Sequence, residues 1–166
     1  MTRPDRSCTR RLLPRTLGLG LLVLAVPVLA QEAVITADRA LFRQEAGTGV
    51  YEGNAEMVQG QRQVNADRIE LRLQDGDLAR IEATGAPVRL REGTEINARA
   101  NRLVYDVAAR TITLSGDAYI EQGGRRFEGA EVTYNLASRD IEASGDGGDR
   151  RVRLVIPAED TNRESQ

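Results

Sequence analysis

Residues Val64–Leu73, VNADRIELRL, alternate apolar and polar side chains as a half-buried β-strand does, but the alternation slips out of phase at its middle. Val64 and Ala66 are two apart, whereas Ile69 follows Ala66 by three and Leu71 restores the step of two. A β-bulge produces this pattern, because one extra residue bends the strand and lets side chains on both sides of the kink face the same core.

The slip recurs. Ala37-Asp38-Arg39-Ala40-Leu41-Phe42, Ala66-Asp67-Arg68-Ile69-Glu70-Leu71, Ala100-Asn101-Arg102-Leu103-Val104-Tyr105 and Gly129-Ala130-Glu131-Val132-Thr133-Tyr134 form four copies whose starts lie 29, 34 and 29 residues apart. Between them runs a second element opening on glycine, at Gly53, Gly85, Gly116 and, in degenerate form, Gly145. Repeats of this length are the first thing to establish in a fold, since each copy is one supersecondary unit. Turn sequences separate the segments: Gln74-Asp75-Gly76-Asp77, Asp106 to Arg110, Leu136 to Asp140, and the glycine-bearing stretches at Gly60, Gly93 and Gly123-Gly124. Helical spacing is sustained nowhere after residue 30. The pattern predicts an all-β protein of short antiparallel strands, one face apolar and one solvated, with an aligned bend that carries each long segment across two facing sheets.

The first thirty residues are set apart. Arg3, Arg6, Arg10, Arg11 and Arg15 precede an uncharged apolar run ending in Val28-Leu29-Ala30, the arrangement of a secretory signal peptide cleaved near Ala30-Gln31. The run is shorter than the roughly 20 apolar residues needed to span a bilayer. Residues 31–157 are expected to form the β-domain and residues 158–166 a flexible tail. Beyond residue 30 the chain has no Cys, His, Lys or Trp and carries 18 arginines against 24 acidic residues, a net charge of −6. That balance does not suit coating nucleic acid.

Catalytic chemistry has little to work with. Ser115, Ser138, Ser144 and Ser165 sit in turn or tail contexts without a nucleophile motif, and no two carboxylates stand apart from the solvated strand faces. The stretches at Gln74 and Asp146 that resemble calcium loops lack a complete oxygen ligand set. The arginines, mostly at outward positions, read as solvated or paired with carboxylates. No cofactor or metal is expected, and binding or assembly remains.

The segments ADRIEL, ANRLVYD, ATGAPVRLRE, LSGDAYIEQGGRRFEGAEVTYN and RRVRLVIP resemble the OstA-like family of periplasmic lipopolysaccharide-transport proteins, over about Val34 to Pro157. Departures are Asn101 and Ala130 where the family pattern has Asp, and Asp146-Gly147-Gly148 in place of an apolar strand start. The resemblance implies a twisted, V-shaped β-jellyroll with edges open for strand addition. It implies a non-enzymatic, periplasmic carrier that shields lipid A acyl chains between its sheets and joins end to end from inner to outer membrane.

The slot residues are then the inward columns Ile69, Leu71, Leu103, Tyr105, Ile112, Leu114, Ile120, Val132, Tyr134 and Ile141, with Ala83, Ala118 and Ala143 leaving room for a chain. By the same resemblance, Val34, Ile35, Thr36 and Ala37 form an edge for an inner-membrane LptC-like component or a preceding copy. Val152, Leu154 and Ile156 form an edge for a following copy or an outer-membrane LptD-like component. The other readings are a ligand-free structural or interaction β-repeat module of the envelope, and the OstA-like module of an LptC-like component.

Overall fold

The computed structural model describes residues 32–148 and 150–158; the signal segment at residues 1–30 and tail residues 159–166 lie outside them. Among the described residues ten strands form one antiparallel sheet: β1 (Ala33–Thr36), β2 (Arg39–Arg43), β3 (Thr48–Gln59), β4 (Arg62–Gln74), β5 (Asp77–Glu92), β6 (Ile96–Asp106), β7 (Thr111–Gln122), β8 (Arg125–Asn135), β9 (Ile141–Ser144) and β10 (Arg153–Val155). Long strands β3 to β8 pair consecutively; β1 and β2 both pair with β3, and β9 and β10 both pair with β8. The predicted turns at residues 74–77, 106–110 and 136–140 connect these strands.

Every long strand bends at the same level. The pairing register shifts between Glu52 and Ala55, Asn65 and Arg68, Thr84 and Val88, Arg99 and Arg102, and Ser115 and Ala118. The result is one continuous sheet folded along a line, rather than two separate sheets. One half holds β1, the second parts of β3, β5 and β7, the first parts of β4, β6 and β8, and β10. The other half holds β2, the complementary parts, and β9. We call them the β1 half and the β2 half.

The two repeat registers meet at this fold line. Asp38 donates its backbone N–H to the carbonyl of Gly53 at 2.9 Å, and its carboxylate accepts from the Asn54 amide at 2.8 Å. Asp67 accepts from the backbone N–H of Ala86 at 3.3 Å. Opposite the Asp/Asn column the glycines have no room for a side chain: a Cβ at Gly116 would lie 2.9 Å from the Asn101 amide nitrogen, and one at Gly53 2.5 Å from the Asp38 carboxylate. Both glycines also have positive φ, +79° and +75° for Gly53 and Gly116, followed by Asn54 and Asp117 in the left-handed region. Small residue, Asp or Asn, and glycine across the strand pair together make the corner.

Both sides of the kink in VNADRIELRL face inward, with Val64 at 1% and Ile69 at 0% exposure in a single hydrophobic cluster. Among the described residues no polar or charged side chain belongs to the core.

Candidate functional site

Strand pairing arranges the inward residues in straight rows. In the β2 half one row runs Ala40, Tyr51, Ile69, Ala83, Leu103, Leu114, Val132, Ala143, and the next runs Phe42, Gly49, Leu71, Ile81, Tyr105, Ile112, Tyr134, Ile141. In the β1 half the facing row is Ile35, Met57, Val64, Leu90, Ala98, Ile120, Phe127, Leu154. Each row is apolar across eight strands, because every strand contributes its inward column at the same level. The expected slot residues therefore come together. Ile120 lies on the β1 wall and the other nine lie on the β2 wall. Of the facing residues, Val64 was expected to face inward, whereas Met57, Leu90 and Ala98 were not singled out, although the two-residue alternation of their strands carried the signal.

Burial varies along the rows. Ile69, Leu103, Ile112, Leu114, Ile120, Val132 and Tyr134 are 0–3% exposed and pack into the common cluster. Ala83 and Ala118, expected to leave room for a chain, are closed over in the same cluster. Leu71, Tyr105 and Ile141, in the row farther from the corner, are half-buried. At the edge strands the walls continue into solvent: Phe42 is 55% exposed at one end and Leu154 49% at the other.

Each edge is built from two short strands, one per half: β1 with β2, and β10 with β9. Val34, Ile35 and Thr36 lie in β1 as expected, and Ala37 lies just past it at the bend. The last strand is shorter than the expected Val152-to-Ile156 span, since only Arg153–Val155 pair with β8; Val152 and Ile156 flank it, both exposed. The β2 edge, with exposed Leu41 and Phe42, was not singled out as an edge in the sequence.

Opposite the corner, a polar seam joins the free ends of the two halves. Arg62 at the start of β4 pairs with Glu92 at 2.9 Å, and its guanidinium lies 5.9 Å from the centre of the Tyr105 ring in the other half. Glu95 and Arg139, in turns of opposite halves, approach to 3.7 Å. Burial pushes the Tyr134 phenol above its ordinary pKa, and the negative charge of Glu92 pushes it the same way. Tyr119 is raised as well, first by burial and then by its hydrogen bond to Glu121. A raised tyrosine pKa contributes stability that is full below the unfolded value of about 10 and is lost as pH climbs through the folded value. Thermal melts followed by circular dichroism at pH 9 and pH 11 are expected to show a fall in stability that Tyr134→Phe makes smaller.

Among the described residues no group of three or more His, Cys, Asp or Glu is placed to hold a metal ion. Asp146, in one calcium-like stretch, instead accepts the backbone N–H of Gly148 at 2.9 Å, a bond that holds its carboxyl below the ordinary range.

Residues 34–140 match the family described as LptA/(LptD N-terminal domain) LPS transport protein. The chain belongs to this family. The lipopolysaccharide export system protein LptA of Escherichia coli K12 is 24% identical over 164 residues, covering 90% of this chain and 89% of the relative. LptA of Haemophilus influenzae is 24% identical over 132 residues, covering 75% of this chain and 77% of the relative. The crystal structure of LptH, the LptA homologue of Pseudomonas aeruginosa, shares the fold with a TM-score of 0.71 at 22% identity, covering 77% of this chain and 96% of that one. The departures at Asn101 and Ala130 do not disturb membership of the LptA/LptD N-terminal family: Asn101 packs against Gly116 as Asp38 does against Gly53.

Proposed function

We propose that this chain is a periplasmic, non-catalytic carrier of lipopolysaccharide that holds acyl chains between its two apolar walls and joins copies end to end into a bridge between the membranes. The observation that carries this reading is the continuity of the walls: apolar rows cross all eight strands of each half and remain exposed at both edges, at Phe42 and Leu154. A closed sandwich would cap such rows with polar side chains. Here a second copy, adding its β1/β2 edge to the β10/β9 edge of the first, extends both walls and pairs the free strand edges at once. In this arrangement an LptC-like inner-membrane component takes the β1/β2 edge and an LptD-like outer-membrane component the β10/β9 edge.

The energetics favour the walls over surface charge. Burying an acyl chain yields roughly 0.8 kcal/mol per CH₂, so a chain of about a dozen carbons offers on the order of 10 kcal/mol before ordering costs. An exposed ion pair is typically worth about 0 to 1 kcal/mol. Because the wall side chains already pack against one another, acyl chains enter by parting the walls from the row farther from the corner, at its half-buried members Leu71, Tyr105 and Ile141.

A photoreactive residue at Tyr105, and a second at Leu103, is expected to form an adduct with lipopolysaccharide in cells. Folded protein without adduct from either position overturns the reading. That result would favour the ligand-free β-repeat module, which is consistent with an interior filled by the protein's own side chains.

A further inference from the structure

The outward faces of the two halves differ in charge. On the β2 half the pairing rows carry six arginines (39, 43, 68, 72, 80 and 102) and seven acidic residues (52, 70, 77, 82, 106, 131 and 142). Three of the arginines pair with three of the acids: Arg68 bonds Glu52 and Glu70, Arg72 approaches Glu70 at 3.3 Å, and Arg102 forks onto Glu82 at 2.8 and 2.9 Å. The Arg102 hydrogen bonds hold the Glu82 carboxyl below its ordinary pKa. Arg68, Arg72 and Arg102 are thus paired as expected, Arg39, Arg43 and Arg80 make no ion pair among the described residues, and the face as a whole carries no excess of positive charge.

The outward face of the β1 half has an excess of arginine. Its rows hold five arginines (89, 91, 99, 126 and 153) against three acidic residues (56, 121 and 128). Glu121 and Glu128 are engaged by Arg126 and Arg153, while Glu56 accepts a hydrogen bond from Gln63. Arg89, Arg91 and Arg99 make no ion pair among the described residues. Arg89 and Arg99 are direct cross-strand partners, and Arg91 stands two residues from Arg89 on the same face. Like charges directly opposite each other destabilise a sheet. Beside them Tyr119 is half-buried, with the guanidinium groups of Arg99 and Arg126 5.3 and 5.1 Å from its ring centre. These residues line a groove of about 300 Å³ that also touches Glu128.

We propose that this groove, on the outward face of the sheet and apart from the acyl slot, is a second binding site, for the phosphorylated saccharide headgroup of another molecule of the transported lipid; the identity of the headgroup rests on the carrier reading above. Guanidinium forks suit the paired oxygens of a phosphate, and three unpaired ones side by side suit a ligand with more than one negative charge. The Tyr119 ring supplies a flat amphipathic surface of the kind that contacts a sugar. Glu128 at the rim disfavours an anion placed over it and so directs phosphates toward Arg89, Arg91 and Arg99. An acidic protein segment is the competing occupant.

The test uses the folded chain and three probes: the deacylated, phosphorylated glucosamine disaccharide of lipid A, inorganic phosphate, and a short poly-glutamate peptide. Titration calorimetry at low salt is expected to show saturable disaccharide binding that weakens with added salt. Binding should fall about tenfold or more in Arg89→Gln/Arg99→Gln and stay unchanged in Arg102→Gln. The double variant should melt at or above the parent temperature, since it removes an unrelieved repulsion. Disaccharide binding that is absent, that is unchanged in the double variant, or that is matched by phosphate or by the peptide at equal concentration overturns the proposal. Cross-linking from Tyr105 reports on acyl chains alone, so failure of the carrier reading and failure of this site give different results.

Discussion

Replacing Leu154 with proline is expected to abolish concentration-dependent end-to-end growth while leaving the roll folded. β10 has three residues, and Leu154 is its middle one, paired with Phe127 of β8. Proline has no N–H and a fixed φ, so a three-residue strand with proline at its centre loses either its hold on β8 or the donor it presents to a following copy. Either loss removes the edge. The fold does not depend on it: Leu154 is half exposed, and the buried cluster is built from β3 to β8. Sedimentation velocity across a concentration series would show growing oligomers for the parent chain and a single monomeric boundary for the variant, with matching circular dichroism spectra. Phe42→Asp at the opposite edge should give the same result, because a charge there is buried when the next copy docks. Oligomers that persist in both variants would refute edge pairing.

The second large effect lies at the corner. Gly116→Val should destabilise the domain by about 2 to 5 kcal/mol, combining a β-branched residue at φ +75° with a Cβ 2.9 Å from the Asn101 amide. Gly76→Val is the comparison, because Gly76 has φ +92° in a turn but no heavy atom within 4 Å of where its Cβ would be. It should lose only the backbone component, about 1 to 3 kcal/mol. Urea unfolding measures both. Equal losses would mean that the Asp/Asn column does not fix the bend, and that backbone conformation alone explains the repeated glycines.

Much of this architecture was legible because it is local and repeated. The slip between Ala66 and Ile69 has its counterpart at Ala37, Ala100 and Gly129, and each marks a bend in the same line. The alternation Ile69, Leu71 and Val132, Tyr134 placed these side chains inward because neighbouring residues on a strand point to opposite faces. The turn at Asp75-Gly76 was equally plain, since both residues adopt positive φ. The site was less legible. Val104 is buried although it faces outward between Glu82 and Thr113, as is Val50 beside Glu70, and nothing in their local pattern distinguishes them from exposed outward positions. Leu41 and Phe42 belong to a repeat copy like any other, yet they sit on an edge.

The arginines illustrate the same limit. Arg89, Arg91, Arg99 and Arg102 all occupy outward strand positions and read alike as solvated or paired. Arg102 meets Glu82 across the β5–β6 pair, whereas Arg89 meets Arg99 across the same pair, on the other side of the bend. Strand register decides which charges become neighbours.

By itself the sequence determined the all-β class, the repeat, the bend and the inward columns, because these follow from the two-residue period of a strand and from turn chemistry within a few residues. Only the tertiary structure decided which inward residues are sealed and which stay open. Tyr134 and Phe42 occupy the same inward row, but Tyr134 has a strand on either side and is 3% exposed, while Phe42 has a neighbour on one side only. Burial is a property of what surrounds a side chain, and for the edge strands one of those surroundings is absent until another strand pairs there.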